Sequence, residues 1–360
     1  MAKLARMLAA VARDRILRVE DVPEPQPGSG DALVAVRACG ICGSDLHALQ
    51  HASKMRDMFE ATGQPSPFDP SRDYVMGHEY AVEIVELGPD TDGVPSKPGD
   101  LVVSMPIALG PTGVEPIGYS NRYGGGYAER MLVTAGMCLK VPTGLDARHA
   151  ALTEPMAVGL HAVNKSRVKQ GESALVLGCG PIGLAVIASL RAKGIEPIVA
   201  ADYSPRRRAL AAQLGAHEIV DPATEPAIDA WRRVDGGRHP LVVFEAVGVP
   251  GMLEAAMRDA PPQSRVLVVG VCMEHDRIHP MVGVVKELEL LFAFGYDPLE
   301  FQGTLETIAE GRLDVDPLIT GTVGVEGVPA AFDALADPED QVKILVEPGG
   351  PSTPEPVSHG

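Results

Sequence analysis

The segment Gly178-Cys-Gly-Pro-Ile-Gly183 limits the possible folds of this chain more than any other feature. The apolar residues 174–177 predict a buried strand before it, and residues 184–193 predict an apolar helix after it. Asp202 ends the next apolar run, 202 − 183 = 19 positions beyond the last glycine. A strand, a glycine turn, a helix and then an acidic residue are typical of a dinucleotide-binding βαβ unit.

Each residue of this turn has an expected task in holding a dinucleotide. Gly178 permits the tight turn, Gly180 lets the backbone approach the pyrophosphate, and Gly183 allows the helix to pack closely. Pro181 and Ile182 begin the helix, whose free N–H groups face the phosphates. The sequence therefore predicts that a dinucleotide binds at this helix N-terminus.

The acidic residue after the second strand indicates which dinucleotide is preferred. Asp202 is expected to accept hydrogen bonds from the adenosine ribose hydroxyls, which favours NAD over NADP. The run Arg206 to Arg208 favours NADP instead, because arginine can bind the 2′-phosphate. A solvated first helical turn after Ser204-Pro205 is the simpler interpretation of that run. Arg207 is kept as a candidate contact of the adenosine site.

A second group of candidate residues lies in Cys39-Gly-Ile-Cys-Gly-Ser-Asp-Leu-His47 and in Gly77-His-Glu79. Cys42 and His78 offer a thiolate and an imidazole from two separate segments, and zinc prefers such ligands. Taken singly, a buried cysteine or a core histidine is as common as a ligand. Cys39 and Cys42 have no partner CxxC pair, which excludes a four-cysteine zinc ribbon. A thioredoxin-like redox pair stays formally possible, although no βαβ pattern surrounds it.

Size, charge and cysteine usage exclude several classes of protein. The 360 residues allow two domains with ample core. The net charge of −17 is expected to repel nucleic acid, and no apolar run approaches the roughly 20 residues of a membrane span. The first eleven residues are interrupted by Lys3 and Arg6, so they indicate a first strand rather than a secretory signal. An odd count of five cysteines fits a reducing cytoplasm.

The predicted secondary-structure pattern changes near residue 150. Short strands separated by Pro- and Gly-rich turns precede this point, and strands alternating with helices follow it, so the fold class is α/β with a parallel sheet. We predict a β-rich domain over 1–154 and 295–347, a nucleotide-binding domain over 155–294, and a disordered tail over 348–360. The polar segment 50–72 is either a solvent loop or a lid beside the metal.

These motifs resemble the zinc-dependent medium-chain alcohol dehydrogenases, especially the sorbitol, butanediol and threonine dehydrogenase branch. The resemblance covers nearly the whole chain, and the Cys42 and His78 segments together are highly specific. It implies a GroES-like catalytic domain and a Rossmann domain. The shared segments are residues 39–47 and 77–79, Gly125-Gly-Tyr-Ala-Glu129, Glu154-Pro-Met-Ala-Val-Gly-Leu-His161, residues 178–183, Phe244-Glu-Ala-Val-Gly248 and Val342-Lys-Ile-Leu-Val346.

The resemblance implies a ligand set for one catalytic zinc. Cys42 and His78 bind the metal, Glu154 is the third protein ligand, and Glu79 is a nearby carboxylate able to approach the metal. Zinc with Cys42 and Glu154 is neutral, so Glu79 would leave a charge of −1 and is expected to be displaced by substrate. Asp45 is expected to fix the tautomer of His78. Residues 101–130 contain no cysteine, so a second, structural zinc is not expected.

The resemblance also implies a route for the proton and the hydride. Ser44 accepts the alcohol proton and passes it through the nicotinamide ribose to His47, and the hydride goes to NAD. The 36-residue separation of the ligands (78 − 42) is long for the family, so the substrate pocket is not predicted. Further cofactor contacts are expected at Val247, Gly270, Val271 and Lys343.

The sequence therefore predicts a zinc- and NAD-dependent oxidoreductase that acts on a secondary alcohol or polyol. Its partners are expected to be a small-molecule substrate and further copies of itself, as a dimer or tetramer. Two alternatives stay open at this point. One is a zinc-free quinone or enone reductase of the same fold, which the presence of Cys42, His78 and Glu154 disfavours. The other is a non-catalytic NAD-binding protein.

Overall fold

A computed structural model of the protein describes residues 5–63, 68–110, 113–336 and 341–357. By its internal contacts the chain divides into two units. The first unit ends at Glu154 and resumes at Ile319 and at Lys343, while the second begins at Pro155 and includes Leu318. No helix in the described ranges is both long enough and apolar enough to cross a bilayer.

Antiparallel strands dominate the first unit. The strand β3 is buried along most of its length, because apolar residues occupy both of its faces. The elements up to residue 154 are β1 (Arg6–Arg13), β2 (Ile16–Pro23), β3 (Asp31–Gly40), α1 (Gly43–Ala61), β4 (Tyr74–Val75), β5 (Glu79–Leu87), β6 (Leu101–Ser104), β7 (Ile107–Gly110), β8 (Gly113–Pro116), β9 (Arg130–Thr134), β10 (Cys138–Lys140) and α2 (Ala147–Ala151).

The second unit contains a parallel sheet whose strands alternate with helices. Its elements are α3 (Thr153–Ser166, which begins at the end of the first unit), β11 (Ser173–Leu177), α4 (Pro181–Ala192), β12 (Ile198–Ala201), α5 (Pro205–Gln213), β13 (Glu218–Val220), α6 (Ala227–Asp235), β14 (Leu241–Glu245), α7 (Met252–Asp259), β15 (Arg265–Val268), α8 (Pro280–Lys286), β16 (Glu289–Phe292) and α9 (Pro298–Ala309).

The strand order of this sheet is β13-β12-β11-β14-β15-β16, with parallel pairing throughout. This is the doubly wound order, in which the chain crosses from one side of the sheet to the other between β11 and β14. The predicted α/β fold with a parallel sheet is confirmed. Ligands of such sheets bind at the carboxyl ends of the strands beside this crossover.

The last part of the chain completes the sheet of the first unit with β17 (Ile319–Val323), α10 (Val328–Leu335), β18 (Lys343–Val346) and β19 (Glu355–Pro356). The path of this sheet is β10-β6-β5-β3-β18-β17-β19, and β9 also pairs with β3. The pairing of β18 with β3 sets Leu345 opposite Gly40 and Val346 opposite Cys39. It therefore brings the start of β18 next to the segment that contains Cys42.

Two predicted boundaries differ from the structure. Residues 295–318 belong to the second unit rather than the first, because Glu300 on α9 hydrogen-bonds Nδ1 of His161 at 2.7 Å and Nδ2 of Asn164 at 2.6 Å. The tail is also ordered over 348–357, where β19 pairs with β17 and Gly324 donates its N–H to the carbonyl of Pro351. An edge strand can take a polar partner, because pairing uses the backbone.

The segment expected to be a loop or lid is partly helical. Helix α1 includes residues 50–61 of this segment and ends at Ala61. The helix is kinked at His51, where the backbone dihedral angles leave the helical region. Residues 64–67 lie outside the described part of the chain. A lid function for 50–72 stays a prediction.

Candidate active site

Three potential metal ligands come together in the first unit. Cys42 directly precedes α1, while His78 precedes β5 and Glu79 is the first residue of that strand. The antiparallel pairing of β3 with β5 places Gly40 opposite Glu79, which brings the two segments side by side. One ligand atom from each of the three residues lies within 4.8 Å of the other two. His78 and Glu79 are buried, and Cys42 is half-buried.

The donor set fits zinc. A thiolate, an imidazole and a carboxylate are the protein ligands of zinc, which binds them at about 2.0–2.3 Å. Ligand atoms of a tetrahedral ion at such distances are about 3.5 Å apart. Because the three ligand atoms already lie within 4.8 Å of one another, only a small movement of the side chains is required. With three protein ligands, a fourth position stays open for a substrate oxygen.

Lys343 forms a buried ion pair with the carboxylate of this cluster. Its Nζ lies 2.7 Å from both carboxylate oxygens of Glu79 and donates to the carbonyl of Ile41 at 3.1 Å. An ammonium has three hydrogens, and these contacts use all of them. Lys343 is only 1% exposed, so the cofactor contact predicted for it is corrected: this side chain binds Glu79 instead.

The ion pair changes the expected charge balance of the metal site. Burial alone would lower the pKa of Lys343, but the negative charge of Glu79 raises it above the ordinary value. The lysine is therefore charged and compensates Glu79. The sequence-based charge count omitted this cation, and with it Glu79 adds no net negative charge. Charge repulsion is then no longer a reason for Glu79 to leave the metal.

Asp45 organises the other side of the cluster. Its fully buried carboxylate accepts hydrogen bonds from Cys42 N at 3.0 Å, Tyr127 Oη at 2.6 Å and Tyr119 Oη at 2.8 Å. Nδ1 of His78 lies 3.3 Å from Oδ1 of Asp45, without forming a hydrogen bond to any of the described residues. Asp45 therefore faces Nδ1 and leaves Nε2 of His78 for a metal.

The pKa values of this pair follow from the same contacts. Burial raises the pKa of Asp45, but the charge of His78 and the two tyrosine hydroxyls together hold it below its usual value. Burial lowers the pKa of His78, yet Asp45 raises it well above the ordinary value. A ligating imidazole must be neutral, so a metal ion competes with the proton that charges the His78 ring.

Ser44 and His47 both lie in the first turns of α1. Ser44 Oγ is 2.9 Å from Tyr119 Oη. His47 is exposed, and its ring stacks on His51 with centroids 6.4 Å apart. A proton route from Ser44 to His47 stays a prediction.

Two tyrosines of this network were not assigned a role from the sequence. Tyr127 belongs to a shared segment, yet nothing in that segment indicates that its hydroxyl binds Asp45. Tyr119 sits in an irregular stretch and contacts residues 74 and 75 positions away. No local sequence signal could have identified it, because the contact depends on the tertiary fold.

Glu154 lies in the first turn of α3, at the end of the first unit. Its side chain is buried and its charge helps to raise the pKa of Lys343. The three-residue cluster found among the described residues does not include it. The place of Glu154 as the third protein ligand stays a prediction.

The glycine turn of the second unit has the geometry that its sequence predicts. Gly178 has φ of +90°, in the region that favours glycine. A Cβ on Gly183 would lie 1.9 Å from the carbonyl oxygen of Gly178, so only glycine fits there. A Cβ on Gly180 would meet no atom within 4 Å, which leaves open space beside this backbone. Pro181 and Ile182 are the first two residues of α4.

Asp202 follows β12 and holds the neighbouring loops. Its carboxylate accepts the N–H of Cys179 at 2.7 Å and that of Ser204 at 2.8 Å. Arg208 donates to the Asp202 carbonyl, also at 2.8 Å, so it is part of the local structure. Nε of Arg207 is buried and has no hydrogen-bond partner within the described ranges. Of the three arginines, Arg207 therefore has the donor best suited to a ligand.

The other expected cofactor contacts also follow strands of this sheet. Val247 comes after β14 and is 42% exposed, while Gly270 and Val271 come after β15, with Val271 47% exposed. Glu245 accepts the N–H groups of Val247 and Gly248, both at 2.8 Å, and so fixes the first of these loops. All three residues lie at the carboxyl edge of the sheet, as does the Gly178 turn.

Comparison with protein families assigns both halves of the chain. Residues 28–143 match the alcohol dehydrogenase GroES-like domain, and residues 181–310 match the family described as zinc-binding dehydrogenase. The first match contains Cys42, His78 and Glu79, and the second begins at the helix after the glycine turn.

Individual proteins match over nearly their full length. The (R,R)-butanediol dehydrogenase of Bacillus subtilis (strain 168) is 36% identical over 342 residues, covering 92% of this chain and 96% of that protein. The sorbitol dehydrogenase of Bos taurus is 27% identical, covering 88% and 89%. A zinc-binding dehydrogenase from Sinorhizobium meliloti 1021, solved with NADP bound, superposes with a TM-score of 0.81 at 28% identity, covering 96% and 100%.

Proposed function

Because the chain belongs to the zinc-dependent medium-chain alcohol and polyol dehydrogenases, we propose that it transfers hydride between a small secondary alcohol or polyol and NAD. The cluster of Cys42, His78 and Glu79 within 4.8 Å is the observation that supports this most strongly. The relatives named for butanediol and sorbitol both act on hydroxyl-bearing carbon chains, which supports the substrate class.

We assign Cys42, His78 and Glu79 to the metal, with Asp45 and Lys343 holding two of them in place. When bound, zinc supplies Lewis acidity that lowers the pKa of an alcohol hydroxyl, and NAD supplies the hydride acceptor. Ser44 Oγ accepts the hydrogen bond of the alcohol hydroxyl, whose proton then leaves by the route proposed through the nicotinamide ribose to His47. Glu154 adds a buried negative charge that helps to keep Lys343 protonated.

The nucleotide is assigned to the carboxyl edge of the parallel sheet. The N-terminus of α4 faces the pyrophosphate, Asp202 accepts from the adenosine ribose, and Arg207 contacts the adenosine. Val247, Gly270 and Val271 are assigned to the nicotinamide side.

One assay tests this function against its alternatives. Formation of the reduced nicotinamide is followed by absorbance across secondary alcohols, vicinal diols and polyols, with NAD and with NADP. The proposal expects turnover of secondary alcohols that stops when a chelator is added. Reduction of quinones or enones that continues with chelator would identify a zinc-free reductase instead. Tight NAD binding without any turnover would identify a non-catalytic protein.

The preference for NAD gives a prediction at Asp202. Replacing it with asparagine keeps the shape but removes the charge that repels a 2′-phosphate. We expect the ratio of kcat/KM for NAD over that for NADP to fall by about tenfold or more, since one charge-assisted contact is worth about 1.5–3 kcal/mol. Asp221→Asn, at the acidic partner of Arg208, is the matched control and should leave the ratio unchanged. An unaltered ratio in Asp202→Asn would refute the assignment.

We also propose that the protein forms a homo-oligomer through its second unit. Met281, Val284 and Val285 on α8 are 66–69% exposed, and Phe294, just after β16, is 90% exposed. Strand β16 is the last in its sheet, so one of its edges is available for pairing. These exposed apolar residues, together with an edge strand in the same unit, fit a second copy of the chain.

Val285→Glu tests this surface. The charged side chain should raise the cost of burying the patch, so light scattering is expected to show a mass shifted toward the monomer. Ile219→Glu, on the opposite edge strand and 40% exposed, is the control and should keep the wild-type mass. If Val285→Glu assembles like the wild type, another surface mediates assembly.

A reducing cytoplasm stays our proposal for the compartment. All five cysteines are free thiols in the structure, which is consistent with such an environment.

A further inference from the structure

Ser44 is hydrogen-bonded to a residue that neither the sequence motifs nor the proposed ligand set assigns. Its Oγ lies 2.9 Å from Tyr119 Oη, and Tyr119 Oη lies 2.8 Å from Oδ1 of Asp45. The three groups form a chain from a buried carboxylate to the hydroxyl expected to meet the substrate. The direction of the hydrogen bonds in this chain can be derived from the number of protons that each group carries.

Asp45 sets the direction at one end. Its carboxylate receives hydrogen bonds from Cys42 N, Tyr127 Oη and Tyr119 Oη, so it acts as an acceptor only. A tyrosine hydroxyl has one hydrogen, and Tyr119 donates it to Asp45. The contact between Ser44 and Tyr119 can then form only if Ser44 donates. Both lone pairs of Ser44 Oγ consequently stay available to a donor on its other side.

The position of the Tyr119 hydroxyl is set by packing of its ring. The ring lies 5.3 Å from the His78 ring and 6.5 Å from that of Phe68, measured between centroids. A phenylalanine in its place would keep these contacts and lose only the two hydrogen bonds. The orienting role can therefore be removed without removing the side chain that packs beside the cluster.

We propose that Tyr119 is a positioning residue that holds the Ser44 hydroxyl with its oxygen toward the bound alcohol, so that Ser44 Oγ accepts the hydrogen bond of the alcohol O–H. This inference rests on the proposed alcohol oxidation. A serine hydroxyl free to rotate spends part of its time pointing its own hydrogen at the substrate, and in that orientation it cannot accept a hydrogen bond from the alcohol. Tyr119 removes that unproductive orientation, and Asp45 in turn fixes Tyr119.

A double-mutant cycle in turnover tests the proposal. Ser44→Ala is expected to lower kcat by about a hundredfold, the lower end for general acid–base catalysis. Tyr119→Phe is expected to lower kcat by about tenfold with little change in KM, since it acts only through Ser44. The double variant should match Ser44→Ala alone. Tyr119→Phe should also show a larger solvent isotope effect on kcat than the wild type, because proton transfer becomes slower.

Tyr127→Phe is the matched control. This substitution removes another tyrosine hydroxyl from the same carboxylate, but the hydroxyl of Tyr127 donates to Asp45 and to the carbonyl of Gly40 rather than contacting Ser44. The fold-decreases in kcat caused by Tyr127→Phe and by Ser44→Ala should therefore multiply in the variant that carries both substitutions. Bound zinc per chain, measured by elemental analysis, should be equal in all of these variants.

A second readout does not depend on turnover. Ser44→Ala and Tyr119→Phe remove the same hydrogen bond, so their shifts of the urea midpoint should not add in the double variant. Independent effects, in kcat or in the urea midpoint, would overturn the proposal, as would a wild-type kcat in Tyr119→Phe. If the wild-type protein oxidised no alcohol, the proposed function would fail, while the urea cycle would still report whether Tyr119 and Ser44 are coupled.

Discussion

Replacing Cys42 with alanine is expected to remove the bound zinc and to lower alcohol turnover by about a thousandfold or more. The thiolate is the one sulfur ligand of the cluster, and His78 with Glu79 leaves too few ligands for a stable tetrahedral site. The Lewis acidity of zinc lowers the activation barrier by several kcal/mol, and each 1.36 kcal/mol changes the rate tenfold. Zinc per chain and kcat are measured on the same preparation.

Cys272→Ala is the control for this experiment. Cys272 is a half-buried free thiol in the second unit and is not part of the cluster. The Cys272→Ala protein should retain the zinc content and the turnover of the wild type. A Cys42→Ala protein that keeps one zinc per chain would show that the metal binds elsewhere.

Replacing Lys343 with methionine is expected to reduce the free energy of unfolding by about 3–5 kcal/mol, the usual cost of leaving a buried charge without its partner. Methionine has nearly the length of lysine, so little cavity is created. The cost arises because Glu79, fully buried, loses the cation that lies 2.7 Å from both of its oxygens. Urea unfolding of the metal-depleted protein measures this loss in the free energy of unfolding without a contribution from metal binding.

Two variants serve as controls for the buried pair. Adding Glu79→Gln to Lys343→Met should recover part of the lost stability, because no uncompensated charge then stays buried. Lys140→Met breaks an ion pair with Asp100 in which the lysine side chain is 62% exposed, and it should cost less than about 1 kcal/mol. Equal costs for Lys343→Met and Lys140→Met would mean that Glu79 does not depend on the buried lysine.

The parts of the site that sequence predicts well are those formed within a short stretch of chain. The strand, the glycine turn and helix α4 lie within about twenty residues, and the φ of Gly178 and the contact at Gly183 follow from that local order. Cys42 and His78 are identifiable because their segments resemble a family, and the comparisons confirm that family. Local pattern and resemblance therefore suffice for the metal and nucleotide motifs.

The parts that sequence misses depend on contacts between segments that are far apart in the chain. Lys343 reaches Glu79 across 264 positions because β18 pairs with β3, and nothing near residue 343 indicates that partner. Tyr119 reaches Ser44 across 75 positions from an irregular stretch. The assignment of 295–318 failed for a similar reason, since α9 is held by Glu300 contacts with α3 that no periodicity reveals. A pattern shows which face of an element is apolar, but not which element covers it.

Stepwise addition of zinc to metal-depleted protein, with alcohol and NAD present, tests the central claim most directly. We predict that turnover rises in proportion to added zinc and levels off at one zinc per chain, with Cys42→Ala showing no rise. Full turnover before any zinc is added would contradict it.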